Sequence, residues 1–300
     1  MTQQITSQMM ANTMLANLSN QLSQLDTTQN ELSTGLRINQ PSDDPYGTAL
    51  ALQLNGQLSS FQSYNANVND GTAWAQTASV SLQSIQQMVE RVRELVVRSA
   101  NGTNSQTDLN AAADEISQLT DSIKQTANTE YDGQYIFAGT ATTAPPWQLG
   151  SNDAFQGNTS AITRAIGPGA SVQINADLSS VLGSGTPAGD GKLLGTLRTI
   201  VSALQSGNTS ALTGQLSNID SSVSSLEAVQ ANVGAAQDRL QMAGTRLSSL
   251  KLTDQAQLSS VQDVDMAQAS IQFATEQAGY EAALQSAAKI IQTSLLNFLQ

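Results

Sequence analysis

Neither cysteine nor histidine occurs in this 300-residue chain. Their absence removes thiolate and imidazole metal sites, cysteine nucleophiles and any acyl-transfer triad whose base is imidazole. It also fits a location where stray disulfides would do harm. Charge is sparse: 12% of the residues are charged, acidic residues outnumber basic ones 24 to 12, and the net charge is −12. Phosphate backbones are held by clustered Lys and Arg, so nucleic acid is not expected as a partner. The first basic residue is Arg37 and no apolar core of a secretory leader precedes it. No run of about 18 apolar residues is present, so no membrane partner is expected either. The chain should be soluble, or exported by a route that leaves no cleavable signal. Aromatic residues make up only 4%, yet Tyr131, Tyr135, Phe137, Trp147 and Phe155 fall close together, marking a region built differently from the rest.

What remains is mostly Gln, Ser, Ala, Asn and Leu at helical spacing. Leu15, Leu18, Leu22, Leu25, Leu32 and Leu36 recur at intervals of three and four, with Gln29 in the one polar slot; this is the seam of a coiled coil. The other face is polar, and one such helix without a partner is marginal in water. Pro41 is expected to stop this helix, and Asp44 followed by Pro45 reads as an N-cap with proline at the first helical position. Residues 41–45 therefore form a joint, with Pro41, Asp43, Asp44 and Pro45 as its key positions.

A second stripe, Leu82, Ile85, Val89, Val92 and Val96, ends near Asn101. Ser105 and Asp108 then make a capping-box-like restart for Leu109, Ala112, Ile116, Leu119 and Ile123, which predicts an antiparallel hairpin of helices. From Tyr131 to Gly191 short apolar runs alternate with Gly, Pro, Ser and Thr, and Val172 and Ile174 alternate like a strand. Helical spacing returns at Leu193. A long seam follows, with Leu212, Leu216, Ile219, Val223, Leu226, Val233, Leu240 and Leu247, about 54 Å long at the rise of an α-helix. The last segment, with a candidate start at Asp263, carries a drifting stripe through Ile271, Leu284, Ile291, Leu295 and Phe298.

The predicted fold is mainly α: long coiled-coil-like helices from both chain ends form a rod, with a small β-rich inserted domain. Its segments are 1–42 and 255–300 as the two halves of a terminal coiled coil, 43–131 and 192–254 as the two parts of the rod, and 132–191 as the insert. The layout is nearly palindromic and brings the ends together. The terminal helices are rich in Ala, Gln and Ser, and a fully buried Leu supplies only about 1.5–3 kcal/mol. Packing against other copies would raise the buried area, so Leu15, Leu18, Leu22, Leu25, Leu32, Ile271, Leu284, Ile291, Leu295 and Phe298 are expected to form an assembly interface, with folding completed on assembly. Tyr135, Ile136 and Phe137 are expected as an aromatic strand that packs the insert against the rod.

No catalytic, cofactor-binding or metal-ligating residue stands out. Asp43, Asp44, Asp263 and Asp265 sit at predicted helix starts, where a carboxylate caps free amides. The loop "GTPAGDGK" at 185–192 has Thr186 and Leu193 where a phosphate loop needs Gly and Ser or Thr; a plain loop with Asp190 as a helix cap is expected. Arg91, Arg93 and Arg98 interleave with Glu90 and Glu94, and Glu94 to Arg98 has the favourable i,i+4 order. A carboxylate pair such as Asp153 and Asp177 keeps an enzymatic insert open as an alternative.

Several stretches resemble known proteins. "RVRELVVRSANGTNSQTDL" at 91–109 is similar to the core of bacterial flagellins, and "PSDDP" at 41–45 with "YIFAGTATTAPPW" at 135–147 resembles the flagellar hook-associated protein 3 family, the junction proteins between hook and filament. The C-terminal stretch from "DVDMAQASIQF" onward is similar to that family's terminal helix. The resemblance implies a non-enzymatic structural subunit, exported unfolded by the flagellar type III apparatus and placed in the extracellular flagellum at the hook–filament junction, where it serves motility. It further implies hook-associated protein 1, flagellin, copies of itself in a ring and a cytoplasmic export chaperone as partners. Flagellin itself and a type III secreted coiled-coil effector remain the alternatives.

Overall fold

The computed structural model describes residues 2–101, 104–150, 152–185 and 191–298, with side chains from 9 to 288. Asp190, expected above as a cap, and the side chains of Ile291, Leu295 and Phe298 lie outside the described residues. Helices α1 (Thr2–Thr34), α2 (Pro45–Ser99), α3 (Gln106–Ala127), α4 (Ser179–Leu182), α5 (Leu193–Gln205), α6 (Thr209–Gln262) and α7 (Met266–Phe298) dominate. The β structure consists of two hairpins, β1 (Glu130–Tyr131) with β2 (Gln134–Tyr135) and β3 (Thr163–Gly167) with β4 (Ala170–Gln173). The chain divides into two compact units, residues 61–249 and residues 1–60 with 250–300.

In the first of these, periodicity explains the packing. Leu212, Ile219, Leu226, Val233, Leu240 and Leu247 of α6 are buried at intervals of seven, the repeat that makes helices wind around one another left-handedly. Helix α2 answers with Ala75, Ala78, Leu82, Ile85, Val89, Val92 and Val96, all buried at alternating intervals of three and four. Helix α3 adds Leu109, Ala113, Ile116 and Ile123 to the same core. It runs back along α2, as Arg91 to Glu115 and Ser81 to Thr129 pairs require. Its start is a capping box: Asp108 N–H donates to Ser105 Oγ while the Asp108 carboxylate accepts from Ser105 N–H.

The aromatic stretch differs from its expected form. Strands β1 and β2 are two residues each, joined by Asp132 and Gly133 at φ +50° and +69°, the two-residue turn whose twist matches paired strands. Ile136, Phe137 and Ala138 then leave the ladder and drop into the core in a turn. They are a plug rather than a strand, because burial on every side suits a turn that dives inward. Gly139 closes this turn at φ +65°, where a Cβ would lie 1.9 Å from Asn158 O.

In the other unit α1 and α7 pack antiparallel, with Thr28 Oγ1 donating to Glu276 Oε2 at 2.8 Å. On α1 the positions turned inward are Ala11, Met14, Leu18, Gln21, Leu25, Thr28 and Leu32, a three-and-four alternation that shares a face with Thr28. Helix α1 ends before Pro41: Gly35, at φ +73°, donates to Glu31 O and terminates it at Thr34, as a left-handed glycine commonly does.

Candidate functional site

Two features of the terminal unit can do something beyond holding it together. The first is an apolar face left open by the α1–α7 pair. Leu15 is 65% exposed and Ile271 70%, and Met9, Met10, Leu22, Met266 and Leu284 are exposed as well. Of the residues expected at an assembly interface, Leu18, Leu25 and Leu32 are half-buried on the α7 side, whereas Leu15, Leu22, Ile271 and Leu284 face outward. On α1 the exposed Leu15 and Leu22 thus form an unpaired stripe beside the paired one, and α7 adds exposed Ile271 and Leu284 outside the seam. The inner seam is itself poorly apolar. It contains Gln21, Thr28 and Glu276, and Gln21 Oε1 is buried without a partner among the described residues, a defect that costs about 1–3 kcal/mol in general.

The second feature is a paired joint. Asp43 accepts from Asn39 and Gln40 N–H and Asp44 accepts from Gly47 N–H, so Asp44 caps α2 with Pro45 at its first position. Pro41 lies exposed in the intervening turn. The bond from Gln40 holds the Asp43 carboxyl below the usual carboxylate range, and those from Gly47 and then Arg37 do the same for Asp44. Across from them α6 ends and α7 begins, with Asp265 Oδ1 accepting from Ala267 and Gln268 N–H. Leu36 bridges Asp263 in antiparallel fashion; Arg37 N–H donates to Gln262 O and Val264 N–H to Gly35 O. Arg37, which sequence reasoning passed over, completes the link with a bond from Nη2 to Val261 O at 2.7 Å.

The unit of residues 61–249 holds its insert by an ionic clamp around a buried lysine. Lys124 is fully buried, and its Nζ donates to Gly150 O and Asn152 O, both at 2.8 Å, and pairs with Asp153. Arg198 grips Asp153 from the other side at 3.0 Å. Burial pushes the Asp153 carboxyl up, but the bonds from Arg198 and Lys124 outweigh it and leave it below its ordinary value. Ile136 and Phe137 are buried in the shared core, Tyr135 is half-buried, and Tyr131 meets Trp74 edge-on at 5.9 Å. Asn128 pairs with both the N–H and the C=O of Trp147.

The charged cluster on α2 is arranged differently from its expected order. Glu94 pairs with Arg91, not Arg98; Arg91 also reaches Glu115 on α3 and Arg93 reaches Asp220 on α6. Interhelical carboxylates draw these guanidinium groups across, so the cluster ties helices together. Neither member of the suggested carboxylate pair is free: Asp153 is clamped and Asp177 accepts from Ser179 N–H and Oγ. Among the described residues no group of three acidic side chains is placed to hold a metal, and no helix is long and apolar enough to cross a membrane.

Comparison with known proteins gives a consistent picture. The pattern for the bacterial flagellin N-terminal helical region matches residues 5–142, and that for the flagellin C-terminal helical region matches 216–299. The chain is 32% identical over 281 residues to a flagellin of Bacillus subtilis, covering 86% of each. Against a Salmonella muenchen flagellin the identity is 39% over 138 residues, 46% of this chain but 27% of that protein. In fold it is similar to flagellar hook-associated protein 3 of Legionella pneumophila (TM-score 0.62, 13% identity, 70% of this chain and 98% of that one). It is also similar to FlgL of Bacillus cereus (TM-score 0.59, 19% identity, 69% and 99%).

Proposed function

The chain belongs to the flagellin family, and from that premise we propose that it joins the flagellar hook to the filament. At the coarser level it is a flagellar structural protein of a non-enzymatic family. In the proposed role copies of the subunit form a ring, seated on hook-associated protein 1 and capped by flagellin, outside the cell, after export with the help of a cytoplasmic chaperone. The open face of Leu15, Leu22, Ile271 and Leu284 meets neighbouring copies, together with Ile291, Leu295 and Phe298.

The observation that carries the junction reading is the aromatic plug of Ile136 and Phe137 with Trp147, which seats a clamped insert on the helices. The fold likeness to solved junction proteins over nearly their whole length supports it. A deletion strain tests it. Hooks should remain while filament subunits are shed into the medium, and wild-type filaments on such cells would overturn the assignment.

A second reading, the filament subunit itself, is favoured by the 32% identity to a flagellin across 86% of both chains. It predicts that the same deletion leaves hooks with nothing to shed. With both suggested carboxylates engaged, no observation favours the enzymatic insert, and none favours the secreted effector.

A further inference from the structure

We infer that Arg37 is the positioning residue that locks the two joints of the terminal unit together, so that α1 and α7 turn as one piece. The inference stands whether the subunit sits at the junction or within the filament.

The chain breaks its helices at two places, between α1 and α2 and between α6 and α7, and the breaks lie side by side. A helix that stops leaves carbonyls of its last turn without partners, and a cationic side chain is one group that can satisfy them. Helix α6 has no basic residue of its own in its last turn. Arg37, 224 residues earlier in sequence, supplies the cation: its Nη2 donates to Val261 O at 2.7 Å and its own backbone N–H to Gln262 O at 2.7 Å. The same Nη2 lies 3.4 Å from Asp44 Oδ2, whose other oxygen accepts from Gly47 N–H in the first turn of α2.

One guanidinium therefore touches the end of α6 and the cap of α2, and its backbone is a rung of the bridge between the joints. Val264 N–H to Gly35 O at 3.0 Å is the next rung. Gly47 leaves room for this arrangement, since a Cβ there would lie 2.5 Å from Asp44 Oδ2 and 2.6 Å from Ile38 Cδ1. Both contacts come from one nitrogen whose N–H groups are fixed in the guanidinium plane; a lysine ammonium is a rotating, strongly hydrated point charge on a shorter stem and is not held in that geometry.

The full chain, being free of cysteine, takes two introduced cysteines cleanly. Nitroxide labels at Ser33 and Gln257, both exposed, report the joint by pulsed electron resonance. A control pair at Gln83 and Ser224 reports the helices of residues 61–249. With Arg37 in place the joint pair should give one narrow distance. Arg37→Ala should broaden it and speed exchange of the Val264 amide about tenfold, the loss of roughly one hydrogen bond to a charged group, while the control pair stays unchanged. Arg37→Lys should fall between the two. The inference fails if the parent is already broad at the joint, if Arg37→Ala leaves distance and exchange as they were, or if lysine restores both fully. Should Arg37→Ala disturb the control pair, Arg37→Lys decides: a looser joint with an intact control supports the lock, and an unchanged joint overturns it. The deletion phenotype is read separately, so either result can fail alone.

Discussion

The long helices of residues 61–249 and the terminal pair α1–α7 are built from the same polar alphabet, yet they solve burial in opposite ways. In the former every heptad of α6 places a Leu, Ile or Val in a sealed core shared with α2, α3 and α5. In the latter the inward positions include Gln21, Thr28 and Glu276, and large apolar side chains such as Leu15 and Ile271 point outward. Spacing is therefore the same language in both, and what differs is whether the apolar residues occupy the face that has a partner inside the chain. A unit that places Leu residues on an open face leaves that apolar surface uncovered within the single chain.

That contrast can be broken by substitution. The largest effect is expected from Lys124→Ala, which removes a fully buried ammonium from the half-buried Asp153 carboxylate and should destabilise residues 61–249 by about 3–5 kcal/mol, read as a lowered midpoint in denaturant with the helical signal of the α1 and α7 pair unaffected. A matched pair sharpens the comparison. Leu226→Ala should cost roughly 2–5 kcal/mol as a buried core truncation, while Leu25→Ala at the half-buried terminal seam should cost about 1 kcal/mol; equal losses would erase the distinction. Leu22→Ala should stay within about 0.5 kcal/mol in the isolated subunit and yet impair assembly, measured by co-sedimentation with polymer.

The smallest effect concerns pH. Asp43 and Asp44 at the joint and Asp108 at the cap of α3 have folded pKa values below the ordinary 3.8. A lowered folded value means that the stabilisation is complete above 3.8 and is lost as pH falls below it through the folded value. Amide protection around the joint, corrected for the intrinsic pH dependence of exchange, should thus be flat from neutrality down to about pH 5 and fall only in stronger acid. A loosening already present at pH 6 would point to another group.

The core helices were legible because Leu, Ile and Val occupy nearly every inward slot, as at 82, 85, 89, 92 and 96. The Ser105 cap and the Val172 and Ile174 alternation were legible for similar local reasons. The terminal seam was harder to read. Ala11, Gln21 and Thr28 turn inward but carry no hydrophobic signal, so the stripe of Leu15 and Leu22 looks like the same seam as Leu18 and Leu25. Gly35, and not Pro41, ends α1, a distinction between two good terminators that only backbone conformation makes. Arg37 and Lys124 look like ordinary surface cations in the sequence, since what fixes their roles is carbonyl groups hundreds or tens of residues away.

The buried Lys124 has one practical corollary. Primary amines are few here, and this one is sealed from solvent by Gly150, Asn152 and Asp153. An acylating dye applied to native protein should pass it by and then mark it once the insert lifts away, so a single tryptic peptide becomes a clock for how often that lid opens.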